Sequence, residues 1–337
     1  MNLSSNTRTP QLRLAVSARC NLRCTYCRPE GEGYPGEPDV LLPPEVILQI
    51  ARLAADEGIT HVKVTGGEPL LRGDMEYLVE GLKRIHGLQD VQLVTNATML
   101  GHRAKSLRSA GLDLLTVSLD AASDRMLRSI RKTHISLVRT ALAECSDCSL
   151  PLRINSVIMK SNFGEISGLM NLARDYGASL KLLDLIDLEP GSDSTFWQRE
   201  FVDLRVLDPF FEEDAIQVGF EEAPGGIGAP LRRYVLRGGL EVVIKQSTRG
   251  GFYHDTCYEC PFYPCQDALI SIRITHNGWI KKCLIRNNNL IDVITPLLAA
   301  NLREALARFR EVFQVLSNSR FHNEAWWNAL NFRGGMP

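Results

Sequence analysis

The chain has 337 residues, enough for one large domain or two ordinary ones. Hydrophobic residues make up 45% and charged residues 23%, a soluble globular balance, and the formal net charge of −1 excludes a globally basic surface for nucleic acid or anionic lipid. No apolar run approaches the roughly 18 residues of a membrane span, and Met1–Pro10 lacks the apolar core of a signal peptide. The sequence therefore reads as cytoplasmic, with no nucleic-acid partner and no membrane partner.

Through about residue 187, short β-type runs alternate with amphipathic ones. Strands are predicted at Leu12–Ser17, His61–Thr65, Val91–Thr95, Leu114–Leu119, Leu152–Met159 and Leu180–Leu185. Helices are predicted at Pro44–Glu57, Met75–His86 and Phe163–Tyr176; in the first, Ile47, Ile50, Ala51 and Ala54 recur at helical spacing. Strands alternating with helices predict parallel βα units with right-handed crossovers. Six units make a partial (β/α)6 barrel, although a doubly wound sheet satisfies the same pattern. After Asp187 the rhythm breaks: Glu189-Pro190-Gly191 signals a turn and Glu221–Gly228 a loop. Antiparallel strands are predicted at Leu240–Gln246, Leu269–Thr275 and Trp279–Leu284, with a hairpin turn at His276-Asn277-Gly278. A helix follows from about Pro296 to Leu316, then a polar tail with Trp326 and Trp327. The expected division is 1–215, the partial barrel, and 216–337, a smaller C-terminal domain.

Nine cysteines in a cytoplasmic-looking chain point to metal or redox chemistry more than to disulfides. Cys20, Cys24 and Cys27 form C-x3-C-x2-C directly after the first strand. Three thiolates hold three irons of a cubane and leave the fourth iron open to a small molecule. The alternative, a structural zinc loop, wants a fourth ligand that this stretch does not offer. Thr65-Gly66-Gly67-Glu68-Pro69 follows the second strand, about 40 residues on. Cys20–Cys27, Gly66–Pro69, Thr95-Asn96, Ser118–Asp120, Lys160 and Asp184–Asp187 all fall at or just beyond strand C-terminal ends, the face on which parallel βα folds build their sites. Cys145 and Cys148 form another C-x2-C away from that face and read as structural or surface cysteines. Glu189 and Asp193 read as loop residues.

The cysteine motif and the Gly-Gly-Glu-Pro turn resemble the radical S-adenosylmethionine (SAM) superfamily. The resemblance implies a [4Fe–4S] cluster on Cys20, Cys24 and Cys27 whose open iron binds SAM. Electron transfer from the cluster then releases a 5′-deoxyadenosyl radical. It further implies that Gly66, Gly67, Glu68 and Pro69 hold the methionine part of SAM, that Tyr26 touches the adenine through its backbone, and that Thr95 and Ser118 belong to the cofactor site. A flavodoxin or ferredoxin is the implied electron donor.

Within the superfamily the chain resembles the MoaA-like branch, the GTP 3′,8-cyclases of molybdenum cofactor biosynthesis. The resemblance runs over about Leu12–Asp187 and Thr256–Leu284 and is carried by Leu12–Leu14, Cys20–Cys27, Thr65–Arg72, Thr95–Thr98, Val117–Asp120 and Asn155–Lys160. It implies substrate contacts from Arg13, Lys63, Lys160 and Arg273, cations suited to a phosphorylated molecule. It also implies a second [4Fe–4S] cluster near the C-terminus. The branch binds that cluster through C-x2-C-x13-C; here Leu269 and Ser271 replace a family cysteine and arginine, Val94 replaces a polar residue, and Gly334-Gly335 is followed by Met336-Pro337. The cysteines instead read Cys257-x2-Cys260-x4-Cys265 with Cys283 after the hairpin. Four thiolates would close the second cluster, and zinc fits the same count. The expectation is a radical SAM enzyme that takes hydrogen from a small phosphorylated substrate of nucleotide or nucleotide-sugar type, with C–C bond formation, cyclisation or oxidation as outcome. The alternatives are GTP 3′,8-cyclase itself, a peptide-modifying radical enzyme, and a non-catalytic metal-binding module.

Overall fold

The computed structural model describes residues 8–27, 41–188, 195–221, 226–229 and 231–323. Glu189–Gly191, Asp193, part of the predicted loop 221–228, Trp326, Trp327 and Gly334-Gly335 lie outside the described residues.

The first part of the chain runs β1 (Gln11–Ala15), α1 (Pro44–Asp56), β2 (His61–Thr65), α2 (Met75–Lys83), β3 (Asp90–Thr95), α3 (Ala104–Ser109), β4 (Leu114–Ser118), α4 (Asp124–Arg131), α5 (Ile135–Asp147), β5 (Leu152–Ile158), α6 (Ile166–Asp175) and β6 (Ser179–Asp184). It continues through α7 (Thr195–Glu200), α8 (Asp208–Asp214), β7 (Ala215–Glu221), β8 (Leu231–Leu236), β9 (Glu241–Lys245), β10 (Gly251–Tyr253), α9 (Asp255–Tyr258), β11 (Ser271–Ile274), β12 (Trp279–Lys281), β13 (Ile291–Asp292), α10 (Ile294–Leu298), α11 (Leu302–Ser317) and β14 (Arg320–His322).

β1 to β6 lie side by side in chain order, every neighbour parallel, the arrangement of a partial (β/α)6 barrel. Their sequences explain the layers. Leu12, Leu14, Val62, Val64, Leu93, Leu115, Val117, Ile154, Leu180 and Leu182 are buried in one core with the apolar stripes of the helices, including Ile47, Ile50, Ala51 and Ala54 of α1. The alternate residues of the strands point to the opposite face, because side chains alternate with period two. That face is polar: Arg13, Lys63, Gln92, Thr116, Asn155 and Lys181 belong to it.

The sheet is strongly curved. On a flat sheet, Lys63 of β2 and Lys181 of β6 would stand about 19 Å apart, four spacings of about 4.8 Å. Lys63 is instead near enough to be among the charges that, after burial, lower the Lys181 pKa. Facing walls of a barrel bring them together.

Two strand predictions are corrected. The segments predicted at Leu240–Gln246 and Leu269–Thr275 do not form a separate antiparallel group. β9 pairs parallel with β6, and β11 pairs parallel with β1, so the two cover opposite edges of the six-stranded sheet. An exposed edge leaves backbone groups unpaired, and later strands of the same chain satisfy them. Antiparallel pairing holds between β8 and β9 and across the β11–β12 hairpin, which turns at Gly278 (φ +87°) as predicted. The expected division at 215/216 falls at the first residue of β7, and strands beyond it extend the same sheet. The predicted Pro296–Leu316 helix is two helices: Ala300 takes φ +54°, and Asn301 caps α11 by accepting from the Glu304 amide. Among the described residues, no helix is long and apolar enough to cross a membrane.

Candidate functional site

All nine cysteines are thiols. Cys20, Cys24 and Cys27 follow β1 on one loop, with Cys20 and Cys27 exposed and Cys24 half-buried. The second strand forces the loop's course. β1 and β2 keep bonding past their ends: Val16 N–H donates to Thr65 O (2.9 Å), Gly67 N–H to Ser17 O (2.7 Å) and Glu68 N–H to Arg19 O (2.7 Å). This flush contact requires the Gly-Gly pair. A Cβ on Gly66 (φ +148°) would meet Ser17 O at 2.5 Å, and one on Gly67 would meet Arg19 O at 2.1 Å. Arg72, buried, braces the same loop by donating to Val16 O (3.0 Å) and Leu42 O (3.1 Å) while paired with Asp74.

Glu68 is buried at 1% exposure. Its carboxylate accepts from Leu70 N–H (3.0 Å), the Thr95 hydroxyl (2.6 Å) and Asn96 N–H (2.7 Å). Burial raises its pKa, opposed by those three donors. Glu68 thereby ties the turn after β2 to the end of β3, and the predicted cofactor residue Thr95 is buried and committed to it. Pro69 opens a short 3-10 turn beside it.

A second tie holds the far end of the loop. The Tyr26 hydroxyl donates to Asp120 Oδ2 (2.7 Å), while Arg131 donates Nε to the same carboxylate oxygen (2.6 Å) and Nη2 to the Tyr26 oxygen (2.7 Å). Asp120 Oδ1 accepts from Val157 N–H (2.8 Å), and Thr25 N–H donates to Ile130 O (3.0 Å). Tyr26, predicted only for its backbone, is thus a side-chain bridge from the loop to β4, β5 and α4. Burial raises the Cys20 and Cys24 thiols, and for both the Arg131 charge opposes that rise. Ser118 stands half-buried at the end of β4, in register with Asn155.

Below this rim lies the polar face. Lys281, Arg273, Arg13 and Lys63 are successive register partners on β12, β11, β1 and β2. The facing wall adds Arg153, Lys181 and Lys245: burial, then the charges of Lys63, Arg153 and Lys245, with Glu221 opposing, hold the Lys181 ammonium well below the ordinary lysine range. Arg153, Lys181 and Lys245 lie in predicted strands at the parity of Arg13, a signal in the sequence that places them on the same face. Of the four predicted substrate cations, Arg13, Lys63 and Arg273 are brought together. Lys160 stands exposed on the rim, apart from the row. Arg273 is itself paired with buried Asp267 (3.0 Å).

Cys257 lies on α9, Cys260 just after it, Cys265 before Asp267, and Cys283 just after β12, all half-buried. Asp267 Oδ2 accepts from Leu284 N–H (2.6 Å), which draws the Cys283 segment toward Cys265. Burial pushes the Cys257, Cys265 and Cys283 thiols up, and the thiols of Cys257 and Cys283 both act on Cys265. Among the described residues, no three His, Cys, Asp or Glu side chains converge as a single metal ion would need. Cys145 is buried in α5 with its thiol pushed up to about 12, far from this face, and Cys148 caps the same helix.

A parallel βα barrel whose first strand runs into C-x3-C-x2-C, backed by a Gly-Gly turn, is the architecture of radical SAM enzymes, and residues 14–173 match the Radical SAM superfamily. The chain is 30% identical over 288 residues to the probable GTP 3′,8-cyclase of Methanocaldococcus jannaschii, covering 85% of this chain and 88% of that protein. It is 31% identical to the probable GTP 3′,8-cyclase of Pyrococcus horikoshii, covering 85% and 87%. Among solved structures, native anSMEcpe with bound AdoMet superposes with a TM-score of 0.56 at 18% identity, over 82% of this chain and 74% of that one. Streptococcus suis SuiB bound to precursor peptide SuiA does so with a TM-score of 0.60 at 15% identity, over 83% of this chain but only 60% of that one. The chain belongs to the radical SAM superfamily, in its MoaA-like branch. It is therefore a radical SAM enzyme, whose family cofactors are SAM and a [4Fe–4S] cluster.

Proposed function

We propose that the enzyme acts on a small phosphorylated substrate of nucleotide type, held in the barrel beneath the Cys20–Cys27 loop. The observation that carries this reading is the cationic wall. Lys63, Arg153, Lys181 and Lys245 share one half-buried polar face, and the Lys181 ammonium is held low first by burial and then by the charges of Lys63, Arg153 and Lys245, which the Glu221 carboxylate only partly opposes. Like charges so placed repel one another, and an anion between them relieves the repulsion. Phosphate groups supply that anion.

The donor set on the first loop fits its cofactor: three thiols at cluster spacing, two of them exposed, on a loop braced at both ends. When bound, the cluster and SAM supply reductive cleavage to a 5′-deoxyadenosyl radical. The chain's residues orient and enclose. Gly66 and Gly67 keep the loop against β2, Glu68 joins it to β3, and Tyr26 with Arg131 and Asp120 fixes its far end. Cys257, Cys260, Cys265 and Cys283 would hold a second [4Fe–4S] cluster. Each thiolate of a cubane binds a different iron, so the four need not converge on one point. With every iron capped, that cluster serves structure or electron transfer.

The second reading is GTP 3′,8-cyclase itself, favoured by the names of the relatives. One experiment separates the two. Anaerobically reconstituted enzyme with SAM and dithionite is screened against GTP, other nucleotides and nucleotide sugars for stimulated release of 5′-deoxyadenosine. Stimulation by a phosphorylated nucleotide other than GTP supports the first reading; a 3′,8-cyclised GTP product establishes the second. Stimulation by none of these compounds sinks both.

A further inference from the structure

Asn96 follows the last residue of β3 and is 6% exposed. The orientation of its carboxamide is determined. Thr98 N–H can only donate, and it points at Asn96 Oδ1 from 3.0 Å. The Thr98 hydroxyl donates to the same oxygen (2.7 Å) and accepts from Asn21 Nδ2 (2.8 Å). Exchanging the amide's oxygen and nitrogen would set an NH2 group against the Thr98 N–H donor. The Nδ2 hydrogens therefore face the cysteine loop. One goes to Asn21 Oδ1 (2.9 Å), the other to Cys20 Sγ (3.8 Å). The same sulfur accepts from Leu22 N–H (3.4 Å). Glu68 seats this arrangement by accepting from the Asn96 backbone N–H (2.7 Å).

We infer that Asn96 is a positioning residue that tunes the cluster on the first loop through its N–H···S bond to Cys20. The inference rests on Cys20, Cys24 and Cys27 being that cluster's thiolates. Reduction adds negative charge to a cluster, and a hydrogen-bond donor aimed at a ligand sulfur stabilises the reduced form. Asn96 thus raises the reduction potential, and its ring of bonds with Asn21 and Thr98 holds Cys20 in place.

Two variants of the full chain test this. Asn96→Leu removes the donor at similar size. Asn96→Asp keeps an acceptor for Thr98 and replaces the N–H with an oxygen. Each is reconstituted anaerobically and titrated electrochemically, with the midpoint read from the EPR signal that SAM perturbs and iron counted per chain. Both variants should retain iron and show a more negative midpoint than the wild type, with any other cluster signal unmoved. An unchanged midpoint in both, or loss of that cluster from both, overturns the tuning role. Cys24→Ala separates the two failures. A SAM-responsive signal that survives it overturns the loop assignment and this inference together. A signal that depends on Cys24 but ignores Asn96 overturns the inference alone.

Discussion

Asp267 accepts from Arg273 Nη2 at 3.0 Å, with 1% of one side chain and 6% of the other exposed. Its second oxygen accepts from Leu284 N–H, the residue after Cys283. One carboxylate therefore neutralises a cation of the barrel row and fastens the Cys283 segment beside Cys265. Removing one member of a buried pair leaves the other uncompensated, at a cost of about 3–5 kcal/mol. Asp267→Ala should lower the unfolding free energy by that order in urea titrations. With the proposed second cluster on Cys257, Cys260, Cys265 and Cys283, it should also cost the reconstituted protein about four of about eight irons. Asp267→Asn, which keeps an acceptor for Leu284, should fall between. Full iron content in the alanine variant would refute the link.

Gly67→Ala would place a methyl 2.1 Å from the Arg19 carbonyl oxygen, which is backbone and has nowhere to rotate. The loop must detach from β2. Destabilisation of about 3 kcal/mol, the upper end of overpacking costs, is expected in the same titrations, with SAM affinity falling by calorimetry. Gly73→Ala, which has open space around it, is the control and should change neither.

Cys24→Ala removes one of three thiols from the first loop. The expected outcome is loss of 5′-deoxyadenosine formation with the iron of the proposed C-terminal cluster retained. Continued SAM cleavage by this variant would show that the loop does not carry the cluster.

Lys181→Met removes a cation from the wall. A charge-assisted contact is worth about 1.5–3 kcal/mol, so tenfold or greater weakening is expected for GTP or inorganic tripolyphosphate in calorimetry. Lys160→Ala, on the rim, should cost less. Equal losses would remove the distinction drawn between rim and wall.

The same variant has a pH signature. Burial, then the charges of Lys63 and Arg153, hold folded Lys181 below the ordinary value of 10.5. Between the folded and unfolded pKa values the unfolded chain binds more protons, so the wild type gains stability as pH rises. Lys181→Met should therefore be more stable than wild type near neutrality, and the gap should narrow as pH approaches 10.5. A gap independent of pH would place Lys181 in ordinary solvent.

Much of this was decided locally. Period-two alternation in Leu12-Arg13-Leu14 and His61-Val62-Lys63-Val64 marks one face for the helices and one for the lumen, because successive side chains of a strand must point opposite ways. The cysteine spacing and the turns at strand ends likewise need only neighbours in sequence. The same alternation in Ile216-Gln217-Val218-Gly219-Phe220 marks β7, a strand absent from the sequence-based expectation. What the tertiary structure decided was closure. Nothing near Leu240 or Leu269 says which sheet edge each strand will cover, since any exposed edge offers the same backbone groups. Curvature alone sets Lys63 against Lys181. Arg273, expected from its place in the chain to contact substrate, is answered by Asp267 only once the segment before β11 folds back. Asn96 meets Cys20 across 76 residues, because two parallel strands end at one rim, and a contact of that span is a property of the fold.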